Sequence, residues 1–377
     1  MSLRSWLLFL SVVLTLLSII HGFILIHLWP LVEFGPLRWI MLGIFILLAS
    51  SYILGRALES VTPRLSQPLL HIGSWWLGIM TYLFLGCLLL DILFIFNCFF
   101  PVMPEQTLDW LRLYFLGLGL VILVLLIAGY FNVKFPRVRK LPQPSFGKLR
   151  LVVASDIHLC GLVSASRLNR IVDLINAEHP DLILLPGDTI DEDLTRSPRS
   201  DVFRRSLQRL TARHGVIAVT GNHEWISGVD AAVDWLESCG ITVLRDRAID
   251  LGPVVVVGRD DAASQRMGGS GAEVVALDTI LNELNQSTLA EKKLIVLDHQ
   301  PTRIPEAVAC GADLVLCGHT HHGQFWPFQW ITKCIFPVSH GHKKFQHTDV
   351  YVSCGAGAWG PQIRTSSRSE IILIENF

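Results

Sequence analysis

Four apolar stretches, at about residues 6–26, 36–54, 72–96 and 113–131, crowd into the first third of this chain. Each is close to the ~20 residues an α-helix needs to cross a bilayer. Residues 1–133 contain only ten Asp, Glu, Lys or Arg, whereas residues 134–377 contain 53. That asymmetry predicts a four-helix transmembrane region at 1–133 and a soluble domain of roughly 230 residues, large enough for its own core. The first stretch is too long, and too poorly followed by small residues, for a cleaved signal peptide. Trp29, Trp39, Trp75, Trp76 and Trp110 lie near segment ends, where an interfacial aromatic belt belongs.

Charge bias sets the expected orientation. With the N-terminus inside, the inner side carries Arg4, Arg56, Arg64, Lys134, Arg137, Arg139 and Lys140. The outer side carries Arg38 and Arg112, offset by Glu33, Glu105 and Asp109. Both termini are therefore expected inside, with the soluble domain cytoplasmic. This depends on the second stretch spanning. Asp91, inside the third stretch, is a functional candidate by default, and snorkelling toward the interface is the plainer account. His21 and His27 are read as interfacial.

The eight cysteines form no spaced framework and no CxxC, which fits unpaired thiols in a reducing compartment. A net charge of −1 offers no electrostatic case for nucleic-acid binding. Residues 134–148 are basic and then proline-rich, and read as a juxtamembrane linker.

From residue 149 the pattern becomes α/β. LRLVVASDIH, DLILLPGD, GVIAVTGNHE, KLIVLDHQ and DLVLCGHTH each run from a short apolar strand into a polar loop. Helical stretches are expected between them, near 165–177, 201–210, 231–239, 276–284 and 303–309, with further strands at 254–257, 349–353 and 370–374. Such runs suit strands buried on both faces. The polar residues at the five strand ends are Asp156, His158, Asp188, Asn222, His223, His299, His319 and His321. A single Asp or His there is ordinarily a turn or cap residue. Five ends that all supply hard or borderline ligands, without cysteine, fit a hydrolytic centre using Mn, Fe or Zn better than a structural zinc cage.

The order Asp156-Ile-His158, Gly187-Asp188, Gly221-Asn222-His223-Glu224, His299 and Gly318-His319-Thr320-His321 resembles the signature of the calcineurin-like metallophosphoesterases. The likeness covers 149–377 and is similar to the bacterial membrane-associated branch. It implies a two-sheet β-sandwich flanked by helices, and two divalent metal ions. By the resemblance, Asp156, His158 and His321 hold one ion, Asn222, His299 and His319 hold the other, and Asp188 bridges them. It further implies attack by a metal-bridging hydroxide, with His223 as the general acid at the leaving oxygen. A histidine suits that task near neutral pH.

Other features are weighed beside this. His322 stands where this branch commonly has glycine, and is read as a substrate contact or a solvent-facing side chain. Asp191 is assigned a supporting role and Cys160 a packing one. The GxGxxG of Gly355–Gly360 is followed by proline where a nucleotide fold needs a helix, so it is read as backbone support beside the metals. His340, His342 and His347 have no spaced Cys or carboxylate partner and are expected in a solvated loop. Residues 325–338, FWPFQWITKCIFPV, lack helical or strand periodicity and are expected to form a packed loop. Trp326, Phe328, Trp330, Ile331 and Phe336 would there shelter a lipid, with Trp330 and Phe336 as candidate contacts.

The expected function is a membrane-anchored phosphoesterase cleaving a phosphodiester or pyrophosphate bond of a lipid-linked or nucleotide-lipid substrate. Relatives that hydrolyse UDP-diacylglucosamine make such a substrate reasonable. The competing readings are a membrane-held phosphoprotein or small-molecule phosphatase, a non-catalytic sensor, and a transporter with a regulatory domain. An intact ligand set with His223 present counts against the sensor, and the scarcity of intramembrane polar residues against the transporter.

Overall fold

The computed structural model describes residues 3–59, 61–103, 107–143, 146–267, 275–284 and 292–376. Glu105, counted in the charge balance, and Pro144 and Ser145 of the expected linker lie outside the described residues. The chain divides into two compact units, Met1–Ala128 and Gly129–Phe377.

Helices α1 (Leu3–Leu28), α2 (Gly35–Leu58), α3 (Pro63–Phe99) and α4 (Leu108–Lys134) dominate the first unit, and the last turns of α4 belong to the second. All four contain spans long and apolar enough to cross a membrane. Proline at the start of α2 and of α3 suits the first turn, where its missing N–H has no partner to lose. Ser66 Oγ on α3 donates to Gly55 O on α2 at 2.8 Å, a direct tie between the two helices. Two histidines of α1 have partners on α3. His21 is buried and accepts a hydrogen bond from Trp76 Nε1 at 3.0 Å. His27 Nε2 lies 2.9 Å from Asp91 Oδ1, so the carboxylate has a partner on a neighbouring helix. An ionisable side chain in an apolar span is costly alone, and pairing offsets that cost.

The second unit contains two six-stranded mixed sheets. The strands are β1 (Arg137–Pro142), β2 (Leu151–Val153), β3 (Leu182–Pro186), β4 (Val216–Val219), β5 (Thr242–Leu244), β6 (Arg247–Asp250), β7 (Val254–Gly258), β8 (Lys293–Leu297), β9 (Leu314–Cys317), β10 (Gly341–Phe345), β11 (Thr348–Val352) and β12 (Glu370–Glu375). The first sheet runs β1-β12-β2-β3-β4-β5 and the second β10-β11-β9-β8-β7-β6. Between strands come α5 (Ala165–Ala177), α6 (Ser200–Leu207), α7 (Asn222–Ser227), α8 (Val229–Glu237), α9 (Ala263–Met267), α10 (Leu277–Asn282), α11 (Ile304–Ala309) and α12 (Gln329–Ile335).

The apolar strand runs have a direct cause. Leu151, Val153, Leu182, Leu184, Ile217 and Val219 face Val254, Val256, Ile295, Leu297, Leu314 and Leu316 between the sheets. Their alternates pack outward. Val152, Ile183 and Ala218 meet α5, α6 and α8, while Val255, Val296 and Val315 meet α10 and α11. With both faces covered, every position of these inner strands gains from burial, at ~1.5–3 kcal/mol for each large aliphatic side chain.

Two expectations for this unit are overturned. Residues 137–142, read as part of a linker, form β1, paired in parallel with β12. Arg139 and Lys140 stand 3.9 and 3.8 Å from Glu370 and Glu375 of β12. The basic run is thus an edge strand matched to an acidic neighbour more than two hundred residues away in sequence. Residues 329–335, read as loop, form α12. Its Trp330, Ile331 and Ile335 are exposed, so no polar outer face marked it as a helix in the sequence.

Candidate metal centre

The site lies where β2, β3, β4, β8 and β9 end. Parallel neighbours bring their carboxyl ends together, and the ladder continues into the loops. Asp156 N donates to Gly187 O at 3.1 Å, His158 N to Asp188 O at 3.0 Å, and Gly318 N to His299 O at 2.9 Å. Five candidate ligands have left-handed backbone: Asp156 and His158 at φ 52°, Asp188 at 50°, His319 at 72° and His321 at 48°. A non-glycine residue in that region costs ~1–2 kcal/mol, so the surrounding hydrogen bonds must hold it there. Glycine is required where these loops touch. A Cβ on Gly221 would land on Asp188 Oδ1, and one on Gly318 on Asp156 Oδ2.

The side chains form two adjoining groups. In the first, His321 Nε2 lies 3.3 Å from Asp156 Oδ1 and 3.0 Å from His158 Nε2. In the second, His299 Nε2 lies 3.0 Å from Asp188 Oδ2. Asn222 Oδ1 is 3.2 Å from His299 Nε2 and 2.9 Å from His319 Nδ1. His158 Nε2 lies 3.8 Å from Asp188 Oδ2, which places that carboxylate between the groups. Donor atoms of Asp156, His158 and His321, and of Asp188, His299 and His319, are close enough to share a metal ion. All seven candidate ligands thus fall in one place.

These residues fit cations. Asp156 Oδ2 is buried without a hydrogen-bond partner, although an orphaned buried oxygen is expensive. The other oxygen accepts from His319 N at 2.9 Å, and Asp188 Oδ1 accepts from His223 N at 2.9 Å. The His319 amide thereby fixes Asp156 Oδ1 beside His321, and the His223 amide leaves Asp188 Oδ2 to face His299 and His158. Burial raises the Asp156 carboxyl above the usual range. Burial acts the same way on Asp188, but His299 overrides it and holds Asp188 well below its ordinary value. Burial lowers His319 to about 3 and, with the Arg364 guanidinium, holds His321 well below its ordinary value. Both rings are therefore neutral, as metal ligands must be.

His223 lies beside this cluster without joining either group. Its Nδ1 is paired with Asp191 Oδ1, and its ring meets His158 edge-on at 4.8 Å. Burial lowers its pKa, but the Asp191 hydrogen bond together with the charges of Asp188, Asp191 and Glu224 outweighs it, and the net shift is up, to about 9.

Three residues with roles here were not singled out by sequence. Glu224 accepts from Gly221 N at 2.7 Å, Asp188 N at 3.0 Å and Ile190 N at 2.8 Å, tying two ligand loops together. Burial, and Asp188 next, raise its carboxyl to about 7. Its signal was available: a glutamate three residues after the helix N-cap is half of a capping box. Arg364 is fully buried, with Nη2 2.7 Å from His321 Nδ1 and Nε donating to Gly357 O at 2.8 Å. Trp359 is exposed, with its ring 6.2 Å from that of His223. Neither has a sequence pattern to announce it.

The remaining candidates separate. The GxGxxG stretch does support the site, since Ala356 N and Gly357 N donate to Ser155 O and Asp156 O at 2.8 Å. Phe336 is half-buried with its ring 5.8 Å from His319, while Trp330 is exposed on α12. His322 turns away from the ligand groups and packs on His340, ring to ring at 4.6 Å. The solvated-loop reading holds for His347, exposed in the turn between β10 and β11, and fails for the other two. His342 lies on β10 and pairs with Asp349 at 2.7 Å, and His340 stands 3.4 Å from Glu370. Both acids come from other strands, which spacing along the chain cannot reveal.

Residues 149–323 match the model of the calcineurin-like phosphoesterases. The chain is 31% identical over 271 residues to an uncharacterized metallophosphoesterase of Helicobacter pylori, covering 69% of this chain and 70% of that protein. It is 31% identical to an uncharacterized metallophosphoesterase of Aquifex aeolicus, covering 62% of this chain and 87% of the other. A Danio rerio transmembrane protein with metallophosphoesterase domain is 34% identical, over 64% of this chain and 56% of its own length. Sequence likeness and the convergence of ligand-type side chains agree, and the chain belongs to the calcineurin-like phosphoesterase family.

Proposed function

We propose that this protein is a membrane-anchored, metal-dependent phosphoric ester hydrolase that cleaves a phosphodiester or pyrophosphate bond in a lipid-linked substrate. The observation that carries the reading is the pair of adjoining ligand groups, bridged by Asp188, with the His223–Asp191 pair at their edge. Asp156, His158 and His321 would hold one ion, Asn222, His299 and His319 the other, and Asp188 both. When bound, Mn, Fe or Zn ions supply Lewis acidity toward a phosphoryl oxygen and an activated water at neutral pH.

The chain's own residues do the rest. Asp191 engages His223 Nδ1, leaving Nε2 to present a proton to the leaving oxygen. Asn222 ligates without adding negative charge, which eases the approach of an anionic substrate. Glu224 holds the Asp188 and Asn222 loops at fixed separation.

Support for a lipid substrate comes from the rim. Trp326, Trp330, Ile331 and Ile335 are exposed together around α12, and Phe336 continues this apolar surface to His319. Exposed clusters of this kind mark interaction surfaces. We further assign residues 1–133 to the membrane region and 149–377 to the phosphoesterase domain, with that domain cytoplasmic, from the Lys and Arg bias. A reporter fused at the C-terminus checks the sidedness, and activity of the reporter only outside would reverse it. Metal-dependent cleavage of bis-p-nitrophenyl phosphate by the purified protein tests the chemistry, and incubation with membrane lipid extracts tests the substrate class. Release of phosphate from phosphoproteins without cleavage of any lipid would favour a tethered phosphatase instead.

A further inference from the structure

We infer that His340, Cys354 and Glu370 form a separate metal site that binds a zinc-class divalent cation and staples the two sheets together. Their donor atoms lie within 4.8 Å of one another. None of the three belongs to the catalytic set. His340 precedes β10, Cys354 follows β11, and Glu370 opens β12. The first two come from the second sheet and the third from the first, so an ion here would cross-link the sandwich at one end.

Two of the polar atoms here lack a hydrogen bond. Glu370 is fully buried, yet its Oε2 has no hydrogen bond. Arg137 and Arg139 stand 3.9 Å from that oxygen, which balances charge but is too long for a hydrogen bond. His340 Nε2 is likewise buried without a hydrogen-bond partner, despite lying 3.4 Å from Glu370 Oε1. That separation matches the roughly 3.3–3.6 Å between neighbouring ligands around a tetrahedral zinc with bonds of ~2.0–2.3 Å. Tyr351 Oη and Cys354 N donate to Glu370 Oε1 at 3.2 and 3.1 Å, orienting the carboxylate as hydrogen bonds around metal ligands do. Cys354 is fully buried, and its thiol donates to Arg368 O at 3.2 Å, a bond that metal binding would replace.

The donor set selects the ion. One thiolate, one imidazole and one carboxylate suit zinc, whereas the cysteine-free catalytic centre also suits harder ions. On binding, the Cys354 S–H bond breaks, the proton leaves to solvent, and sulfur bonds the cation. The thiolate and carboxylate together match the charge of a divalent cation, with Arg137 and Arg139 left on the far side of the carboxylate at its other oxygen.

The test uses full-length protein in detergent, stripped with a chelator and titrated with Co²⁺. Because the catalytic centre lacks cysteine, a thiolate-to-cobalt charge-transfer band separates the proposed site from it, and Cys354→Ser separates it from exposed thiols such as Cys98 and Cys334. The expected result is that band in the wild type, with one metal equivalent more than in Cys354→Ser, which lacks it. His340→Gln, altering a less buried side chain, should weaken the band if Cys354→Ser folds poorly. Asp188→Asn should keep the band while losing catalytic metal, which separates this proposal from the catalytic one. A wild type without the band means that water alone satisfies these groups, and a band that persists in Cys354→Ser means adventitious thiol binding. Either result overturns the inference.

Discussion

Nε2 of His158 stands 3.0 Å from Nε2 of His321, although the residues are 163 positions apart in the chain. Two imidazole nitrogens can share only one proton across such a gap. With Asp156 Oδ1 3.3 Å from the same His321 nitrogen, three donors point at one locus. A divalent cation satisfies all three, whereas a proton satisfies two.

Metal content should therefore follow this cluster. Asp188→Asn removes the charge between the two groups and should cut metal occupancy and turnover together, with circular dichroism unchanged. Glu224→Gln should weaken metal affinity by ~10–100-fold without touching an ion, because an amide cannot accept the three backbone N–H bonds that the carboxylate accepts. Elemental analysis of dialysed protein reads both outcomes.

His223→Ala should fold and keep its metal. Turnover of a substrate with a poor leaving group should fall by ~10²–10⁴-fold. With p-nitrophenolate as leaving group the loss should be smaller, since that oxygen needs no proton. Equal losses on both substrates would remove the general-acid role.

Asp191 should set the alkaline limit of activity. Its hydrogen bond helps raise His223 to about 9, and a general acid loses function as pH rises through its pKa. Asp191→Asn removes the raising partner, so the alkaline limb of kcat/KM should shift to lower pH. An unshifted limb would assign it to another group.

Substituting Trp330 and Phe336 together with Ser should lower activity on lipid-linked substrates and spare bis-p-nitrophenyl phosphate. Both side chains lie outside the ligand groups, so metal content should not change. Equal losses on the two substrates would end the lipid-rim reading.

Gly318→Ala should destabilise the domain by ~1–3 kcal/mol, as overpacking does. An added Cβ there meets Asp156 Oδ2 and the Ser155 side chain. A thermal melt compared with wild type reads the effect, and metal affinity should fall with it.

The long apolar helices, the buried strands and the side chains that converge on the candidate metal centre were legible because each signal is local. A span is a run of apolar residues, a buried strand is a short one, and each ligand follows its strand within a few positions. Residues 137–142 were misread because their defining partner, β12, lies near the other end of the chain. α12 was missed because its apolar residues face outward, so the periodicity that marks a packed helix is absent. Arg364 left no trace, since one buried arginine looks like any other until its contacts are known.

The sequence by itself determined the division into an apolar and a charged part, the α/β pattern and the order of ligand-bearing loops. Each depends on neighbours along the chain, where hydrophobicity and turn chemistry act. Only the tertiary structure decided which side chains meet. It paired His27 with Asp91, brought Arg364 to His321, turned His322 toward His340 and set His340 beside Cys354 and Glu370. Those contacts join separate strands and helices, and their distances follow from how sheets stack and cross, which no local pattern encodes.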